Sequence, residues 1–340
     1  MSAELKIGLI GAGFIAETHA VSFTRYLKDA RLVAVAGGSR AEGLAQKYNL
    51  TNYENIAEML EGDHVDAVVI TSPHQYHAEH GQLCGAAGKH VLMEKPMSTS
   101  IEACNSLTEV FNKNNLSLMI AFTQRYRESN FRAKQVIDSG KLGEIKMISE
   151  WGLVSGGMTS YPAWQNKPEN LGTLFGYGIH NLDKLRWFLD CESVSVAGQI
   201  QENDNGVELN SMGIFQFANG TMANLWTGVG LPQPGFENAS FRSYVVGTEG
   251  LMDVDGYGAL RVCPIGGTWE TLFTQEPVDW RGDGAFQLAR MASFNSQNQE
   301  FIDSILENRK PAITGVDGIA SVKMALGLYQ AARTKSVLRL

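Results

Sequence analysis

The chain has 340 residues, of which 44% are hydrophobic and 19% are charged, and its formal net charge is −8. This length exceeds one typical domain, so we expect two domains, each with a sizeable apolar core. The acidic balance argues against nucleic acid or an anionic membrane surface as a partner. No apolar run approaches the roughly 18 residues of a membrane helix, no signal-peptide pattern precedes the first strand, and the four cysteines lack paired metal spacing, so a cytoplasmic protein is expected.

The first third of the chain alternates short apolar runs with helical stretches. Strands are predicted at 5–10, 32–36, 67–71, 90–94 and 117–121. Helices are predicted near 14–28, 40–48, 54–61, 75–87 and 100–114. Such alternation is typical of an α/β domain with right-handed crossovers and a doubly wound parallel sheet, here over residues 1–124.

After residue 124 the pattern changes to longer strands separated by turns. Strands are predicted at 144–154, 193–203, 207–218, 221–229, 240–247 and 258–263. Helices are predicted at 128–138, 178–189, 285–307 and 315–333. Asn219-Gly220 indicates a hairpin with a two-residue turn. We therefore expect residues 125–340 to form a second α/β domain with a large, open, mostly antiparallel sheet and helices on one face.

The turn after the first strand reads Gly11-Ala12-Gly13-Phe14-Ile15-Ala16. Gly11 allows a tight turn, Gly13 lets the backbone approach a pyrophosphate, and Ala16 occupies the close helix-to-strand contact. The phosphates would lie on the N-terminal end of the helix that begins at Phe14 and Ile15. The pattern predicts a dinucleotide site.

The end of the second strand bears on which dinucleotide binds. An NAD site usually has Asp or Glu there, about 20 residues beyond the glycines, to hold the ribose hydroxyls. This chain instead reads Gly37-Gly38-Ser39-Arg40. Ser39 can donate a hydrogen bond and Arg40 can pair with a 2′-phosphate, so the pattern favours NADP over NAD. The alternative is that Arg40 is a solvated surface residue.

Polar residues also follow the strand that ends near Ile70. Because ligands bind at the carboxyl ends of strands in open α/β sheets, four residues are predicted to line the cofactor cleft: Thr71, Ser72, Pro73 and His74. His74, His77 and His80 stand three apart, but no Cys or carboxylate completes a metal set, so no metal is predicted. His77 is interpreted either as a cofactor neighbour or, with His80, as a helix-capping or surface residue.

Glu94-Lys95-Pro96 ends the next apolar strand. Lys95 there could orient a substrate hydroxyl and stabilise developing oxyanion character during hydride transfer. The alternative is a surface lysine paired with Glu94. In the second half, the glycine-rich run Gly172 to Asp183 contains His180, which is either an acid or base near neutral pH or a buried core histidine.

Aromatic residues near this run are candidates for substrate binding. Tyr161 and Trp164 come from a loop that begins with Gly156-Gly157, and Tyr177 lies three residues before His180. A sugar ring stacks well on such side chains.

Together, the glycine turn, Thr71 to His74, Glu94-Lys95-Pro96 and Gly172 to Asp183 resemble the Gfo/Idh/MocA family along essentially the whole chain. The resemblance implies a Rossmann domain followed by an α/β domain whose open sheet commonly makes the dimer contact. It also implies oxidation or reduction of a secondary alcohol or carbonyl on a sugar, cyclic polyol or related compound, with NAD or NADP. By position, Lys95 matches the family's Glu-Lys-Pro lysine, and His180 matches its catalytic histidine.

The family often has an aspartate four residues before that histidine, where this chain has Gly176, so Lys95 and His180 would share the proton chemistry. Asp183 would touch substrate or pair with Lys184. Gln124 and Arg125 would lie at the nicotinamide edge, where Arg125 could hold an anionic group.

The expected partners are a carbohydrate or polyol substrate and further copies of the chain, as a homodimer or homotetramer. Two alternatives stay open: a glycoside-cleaving enzyme that retains its cofactor, and a non-catalytic dinucleotide-binding sensor.

Overall fold

The computed structural model describes residues 4–155, 163–237, 239–276, 278, 280 and 282–340. The chain forms two compact units. The first comprises Met1–Thr123 and Asp279–Ile319, and the second comprises Gln124–Val278 and Ala320–Leu340.

The first unit contains a six-stranded parallel sheet among its described residues. Its strands are β1 (Leu5–Ile10), β2 (Ala30–Ala36), β3 (Thr51–Tyr53), β4 (Ala67–Ile70), β5 (His90–Met93) and β6 (Leu118–Ile120). Its helices are α1 (Phe14–Arg25), α2 (Ala41–Tyr48), α3 (Ile56–Leu60), α4 (His77–Ala86), α5 (Ile101–Lys113) and α8 (Leu288–Leu306).

The strand order of this sheet is β3-β2-β1-β4-β5-β6, which confirms the predicted doubly wound topology. All four residues of β4 are buried, as expected for a parallel strand covered by helices on both faces. The chain order reverses between β1 and β4. Ligands bind at such a reversal, beyond the carboxyl ends of the strands.

The second unit contains a nine-stranded sheet among its described residues, in the order β14-β13-β12-β11-β7-β10-β9-β8-β15. Its strands are β7 (Ile145–Ser155), β8 (Ser193–Glu202), β9 (Glu208–Phe217), β10 (Met222–Leu231), β11 (Arg242–Gly247), β12 (Gly250–Asp255), β13 (Ala259–Pro264), β14 (Glu270–Thr274) and β15 (Leu338–Arg339). Its helices are α6 (Glu128–Asp138), α7 (Ile179–Leu189) and most of α9 (Gly315–Thr334).

Only the β7–β10 pair is parallel among the described neighbours in this sheet, so the predicted mostly antiparallel sheet is confirmed. Buried and exposed residues alternate along most of β9, because one face of the sheet is covered. No helix in the described part of the chain combines the length and apolar character needed to cross a membrane.

The structure differs from the prediction in several details. The predicted second domain took in residues 279–319, but these belong to the first unit, where α8 packs on α1. The β9–β10 turn has three residues rather than two, since Phe217 N donates to Thr221 O and Gly220 adopts a positive φ of 87°. The strand β12 was missed because its buried Asp253 and Asp255 break the apolar pattern.

Candidate active site

The glycine turn of the first unit is built for close backbone approach. Gly11 has φ +98°, and a Cβ there would lie 2.9 Å from Thr71 Oγ1 and 3.1 Å from Ser72 N. Gly13 is the N-cap of α1 and has no side chain, so it leaves the N–H groups of the first helical turn open to an anion. The turn therefore fits the diphosphate of a dinucleotide, with Phe14 and Ile15 at the helix end that would face it.

Arg40 lies beside this turn. Ser39 and Arg40 are both exposed, yet a Cβ at Gly13 would stand only 3.5 Å from Nη2 of Arg40. The guanidinium therefore folds back over the glycine turn. A cation in this position can pair with a phosphate group bound at the turn.

His77 joins the two loops that follow β4 and β5. Its side chain is 1% exposed, with Nδ1 2.6 Å from the carbonyl oxygen of Pro96 and Nε2 2.7 Å from that of Ser72. The interpretation as a surface or capping residue is therefore wrong, because the ring is buried between two backbone segments. Burial lowers the pKa of His77, although the two carbonyl contacts oppose this effect. His74 is also buried, and His80 Nδ1 lies 2.9 Å from Ser72 Oγ.

Glu94, which precedes Lys95, belongs to a buried hydrogen-bond network that was not predicted from the sequence. Glu94 Oε1 lies 3.2 Å from His19 Nε2, and His19 Nδ1 lies 3.1 Å from Asn298 Oδ1. Burial raises the pKa of Glu94, but the hydrogen bond and charge of His19, together with Lys95 and His77, reverse this effect and leave the pKa lowered. A histidine on the apolar face of α1 was the available signal.

Lys95 is half-buried, and its backbone N–H donates to Glu94 Oε2 over 3.3 Å. Burial lowers the pKa of its ammonium group, while the Glu94 carboxylate opposes this shift. Lys95 is therefore not an ordinary solvated lysine. An ammonium with a lowered pKa donates a stronger hydrogen bond to a substrate oxygen.

In the second unit, His180 belongs to an aromatic cluster. Its ring lies edge-on to Phe241 with centroids 5.7 Å apart, and Tyr177 stacks on the same ring at 4.4 Å. Tyr257 packs against Phe241 at 5.5 Å and accepts a hydrogen bond from Gln124 Nε2 at 3.1 Å. The structure thus brings together three predicted site residues of this unit: Gln124, Tyr177 and His180.

The backbone before His180 explains how it is held. A π-helical turn, Leu174–Gly178, leads directly into α7 and contains Tyr177 and Gly176. Such turns are rare and often mark functional sites. A helix beginning at residue 178 was predicted, one residue before α7 begins, but the π turn before it was not.

Asp183 pairs with Arg125. Two hydrogen bonds, from Nε at 2.8 Å and Nη2 at 2.6 Å, join the guanidinium to a carboxylate that is fully buried. The alternative pairing with Lys184 is wrong, because Lys184 Nζ lies 2.7 Å from Glu150 Oε1. Asp183 therefore orients Arg125.

Trp164 is half-buried within the first of two short 3-10 turns, Ala163–Asn166 and Pro168–Asn170, and its carbonyl accepts a hydrogen bond from Asn170 Nδ2 over 2.8 Å. Tyr161 lies outside the described residues.

Comparison with known families agrees with this fold. Residues 5–122 match the oxidoreductase family with an NAD-binding Rossmann fold, and residues 131–253 match the GFO/IDH/MocA C-terminal domain. The fold and its glycine turn thus define a nucleotide-binding oxidoreductase class. The chain belongs to the Gfo/Idh/MocA family.

The chain is similar to several dehydrogenases. It is 28% identical over 342 residues to inositol 2-dehydrogenase of Rubrobacter xylanophilus, covering 95% of this chain and 90% of that protein. It is 31% identical over 195 residues to inositol 2-dehydrogenase 2 of Saccharopolyspora erythraea, and this alignment spans 56% of each chain. It is 30% identical over 197 residues to D-glucoside 3-dehydrogenase of Escherichia coli, covering 57% of this chain and 56% of that protein. Against the last two, the chain spans little more than half of the relative's length.

Among solved structures, scyllo-inositol dehydrogenase from Lactobacillus casei, with bound NAD(H) and scyllo-inositol, superimposes with a TM-score of 0.82 at 26% identity. This match covers 98% of both chains.

Proposed function

We propose that this chain is an NAD(P)-dependent oxidoreductase that moves a hydride between the nicotinamide and a secondary alcohol or carbonyl of a sugar or cyclic polyol. The observation that carries the proposal is the position of Lys95, which follows β5 at the same sheet edge as the glycine turn and rests on the Glu94–His19 pair. Inositol and glucoside dehydrogenases among the relatives support this substrate class.

In the proposed reaction, bound NAD(P) supplies the hydride acceptor or donor. His180 takes the hydroxyl proton during oxidation and returns it during reduction. Lys95 donates a hydrogen bond to the same hydroxyl and stabilises the developing alkoxide charge. Since Gly176 supplies no carboxylate, these two side chains carry the proton chemistry.

A panel of sugars and polyols, assayed by reduced-nicotinamide absorbance, tests this proposal. We expect His180→Ala to lower kcat by about 100-fold to 10,000-fold while cofactor affinity is kept. Lys95→Ala should behave similarly. Lys89→Ala is a matched control, since Lys89 lies just before β5, at the opposite end of that strand from Lys95.

Full turnover in His180→Ala would refute its role. If Lys95→Ala loses cofactor binding without misfolding, Lys95 is a binding residue instead. If the folded wild-type protein binds cofactor but no compound of the panel changes the redox state of that cofactor, the alternative of a non-catalytic dinucleotide-binding sensor would be favoured.

The proposal includes a preference for NADP. The Arg40 guanidinium beside the glycine turn and the absence of a carboxylate in Gly37-Gly38-Ser39-Arg40 support it. Arg40→Ala should weaken NADPH binding by about 10-fold to 100-fold, the range of a hydrogen bond to a charged group, and leave NADH binding unchanged. Arg31→Ala is the control, since Arg31 is an exposed arginine near the other end of β2. Tighter binding of NADH than NADPH by the wild-type protein would overturn the preference.

We also propose that the chain forms a cytoplasmic homo-oligomer through the outer face of the nine-stranded sheet. Exposed apolar side chains from three neighbouring strands support this contact: Met147, Met212, Ile214 and Met222. A cluster of this kind typically marks a protein interface. Ile214→Glu should shift the protein to a smaller species in sedimentation, whereas Val337→Glu, at an exposed residue outside these three strands, should not. An unchanged sedimentation coefficient for Ile214→Glu would contradict this assembly.

A further inference from the structure

Glu208 is a buried carboxyl group that the proposed reaction does not use. It lies at the start of β9 and is 2% exposed. Oε1 accepts a hydrogen bond from Ser211 Oγ at 2.6 Å, and Oε2 accepts one from Leu174 N at 2.7 Å. Oε2 also lies 3.2 Å from the hydroxyl oxygen of Tyr329 on α9. The carboxyl group therefore joins β9 and α9 to the backbone that leads into His180.

This backbone, residues 171–174, is the anchor segment. The Tyr329 hydroxyl also contacts the carbonyl oxygen of Leu171. Gly172 has φ +69°, and a Cβ there would lie 2.3 Å from the carbonyl oxygen of Glu208, so the two backbones touch. Thr173 Oγ1 donates to that same carbonyl at 3.4 Å. The anchor segment is thus held at the point where the π turn with Tyr177 begins.

The hydrogen bonds among Glu208, Tyr329 and Leu171 depend on whether the Glu208 carboxyl group carries a proton. Tyr329 has one hydroxyl proton, and the Leu171 carbonyl can only accept. When Tyr329 donates to Leu171, its contact with Glu208 requires a proton on the carboxyl group. Neutral Glu208 with its proton on Oε2 therefore lets Tyr329 keep its hydrogen bond to Leu171, while ionised Glu208 accepts the Tyr329 O–H and the Leu171 carbonyl loses that donor.

The surroundings agree with a proton on Glu208 near neutrality. Burial raises the pKa of Glu208 to about 7, although the donors from Ser211, Leu174 and Tyr329 oppose this shift. Burial, together with the Glu208 charge, also raises the pKa of Tyr329 well above its usual range. Two further charged groups lie nearby: Arg333, whose guanidinium is 5.7 Å from the Tyr329 ring centre, and Glu202, which pairs with Arg333 at 3.2 Å and stands opposite Glu208 in the β8–β9 ladder.

We propose that Glu208 is a pH-sensitive positioning residue: when protonated it completes a Glu208–Tyr329–Leu171 hydrogen-bond chain that fixes the anchor segment, and when ionised it releases Leu171. On ionisation the carboxyl proton leaves to solvent, and the Tyr329 O–H turns from Leu171 to the carboxylate. The effect on turnover rests on the proposed function, because the anchor segment leads into Tyr177 and His180. The hydrogen-bond chain itself does not depend on it.

Amide hydrogen exchange of the full chain, followed by mass spectrometry of peptides covering 171–178, tests the proposal. Rates are measured at about pH 6 and about pH 8.5, on either side of the Glu208 pKa, and corrected for intrinsic exchange. We expect exchange in the wild-type protein to rise about fivefold at the higher pH, the factor for one ordinary hydrogen bond.

Two variants separate the two contributions: one keeps the side chain at position 208 neutral, and the other removes the Tyr329 hydroxyl group. In Glu208→Gln the side chain is neutral at every pH and its amide oxygen can still accept from Leu174 N, so exchange should no longer change with pH. In Tyr329→Phe the Leu171 carbonyl has lost the Tyr329 donor at every pH, so exchange should be fast at both pH values. Glu202→Gln, the control, should keep the wild-type pH dependence. Wild-type exchange that does not change with pH, or a Glu208→Gln variant that keeps the pH dependence, would overturn the proposal.

The pH profile of kcat separates this inference from the proposed function. If the proposed function and the positioning role are both correct, kcat should fall with increasing pH over the range in which exchange rises. Glu208→Gln should remove that fall in kcat. If exchange behaves as expected but no substrate yields cofactor redox change, the proposed function fails and the positioning role stands. If turnover occurs but exchange does not respond to pH, the positioning role fails alone.

Discussion

Replacing Lys184 with methionine removes the cation that faces a buried carboxylate in the second unit. Lys184 Nζ lies 2.7 Å from Glu150 Oε1, and both side chains are fully buried. Glu150 keeps two other donors, Asn181 Nδ2 at 2.7 Å and Ser243 Oγ at 2.6 Å. Methionine is unbranched and apolar, so the core stays filled and the change reports mainly on the charge.

The expected loss is about 3–5 kcal/mol of unfolding free energy, the cost of breaking a buried ion pair from one side. Burial already raises the pKa of Glu150 despite the presence of Lys184, and loss of the cation raises it further. A carboxyl group whose pKa is higher in the folded state stabilises the fold below its unfolded pKa. That contribution is lost as the pH rises through the folded pKa. The loss of unfolding free energy in Lys184→Met should therefore be larger at higher pH.

Urea unfolding monitored by tryptophan fluorescence at two pH values measures this loss. The double variant Lys184→Met/Glu150→Gln, which leaves no buried charge, should recover most of the stability. Arg132→Met is the control, because its ion pair with Glu128 is exposed and should contribute no more than about 0.5 kcal/mol. A Lys184→Met loss below about 1 kcal/mol, or a deficit that shrinks as pH rises, would refute the reasoning. His180 lies one turn before Lys184 on α7, so the kcat of Lys184→Met should fall together with its stability.

Two further predictions concern the first unit and the thiols. Gly11→Ala should lower nucleotide affinity by at least about tenfold, because its φ of +98° and the 2.9 Å approach of Thr71 Oγ1 oppose a side chain. Gly43→Ala in α2, where a Cβ meets nothing within 4 Å, is the control, and equal affinities measured by cofactor titration would contradict the expectation. Burial raises the thiol pKa of two cysteines to about 12, so an aromatic disulfide reagent at neutral pH should titrate only the two half-exposed ones until the protein unfolds. The buried pair is Cys84 and Cys104, and the half-exposed pair is Cys191 and Cys263. More than two fast-reacting thiols in the folded protein would contradict this assignment.

Local patterns predicted much of the fold and part of the site. The glycine turn could be recognised because positive φ and close backbone approach are properties of a few consecutive residues. The edge at which Lys95 lies followed from topology, since all strands of a parallel sheet end on the same side. The short strands were missed, among them β3 with three residues, because such runs carry too little periodicity.

The sequence by itself determined the class of fold and the glycine turn, and it predicted which residues could carry proton chemistry. The tertiary structure alone decided which side chains support them. His19 meets Glu94 across 75 positions, Arg125 meets Asp183 across 58, and Tyr329 meets Glu208 across 121. Such pairings depend on which elements pack together, and no property of either local segment specifies its distant partner. Burial then shifts the pKa values of these groups, and burial exists only once the chain has folded.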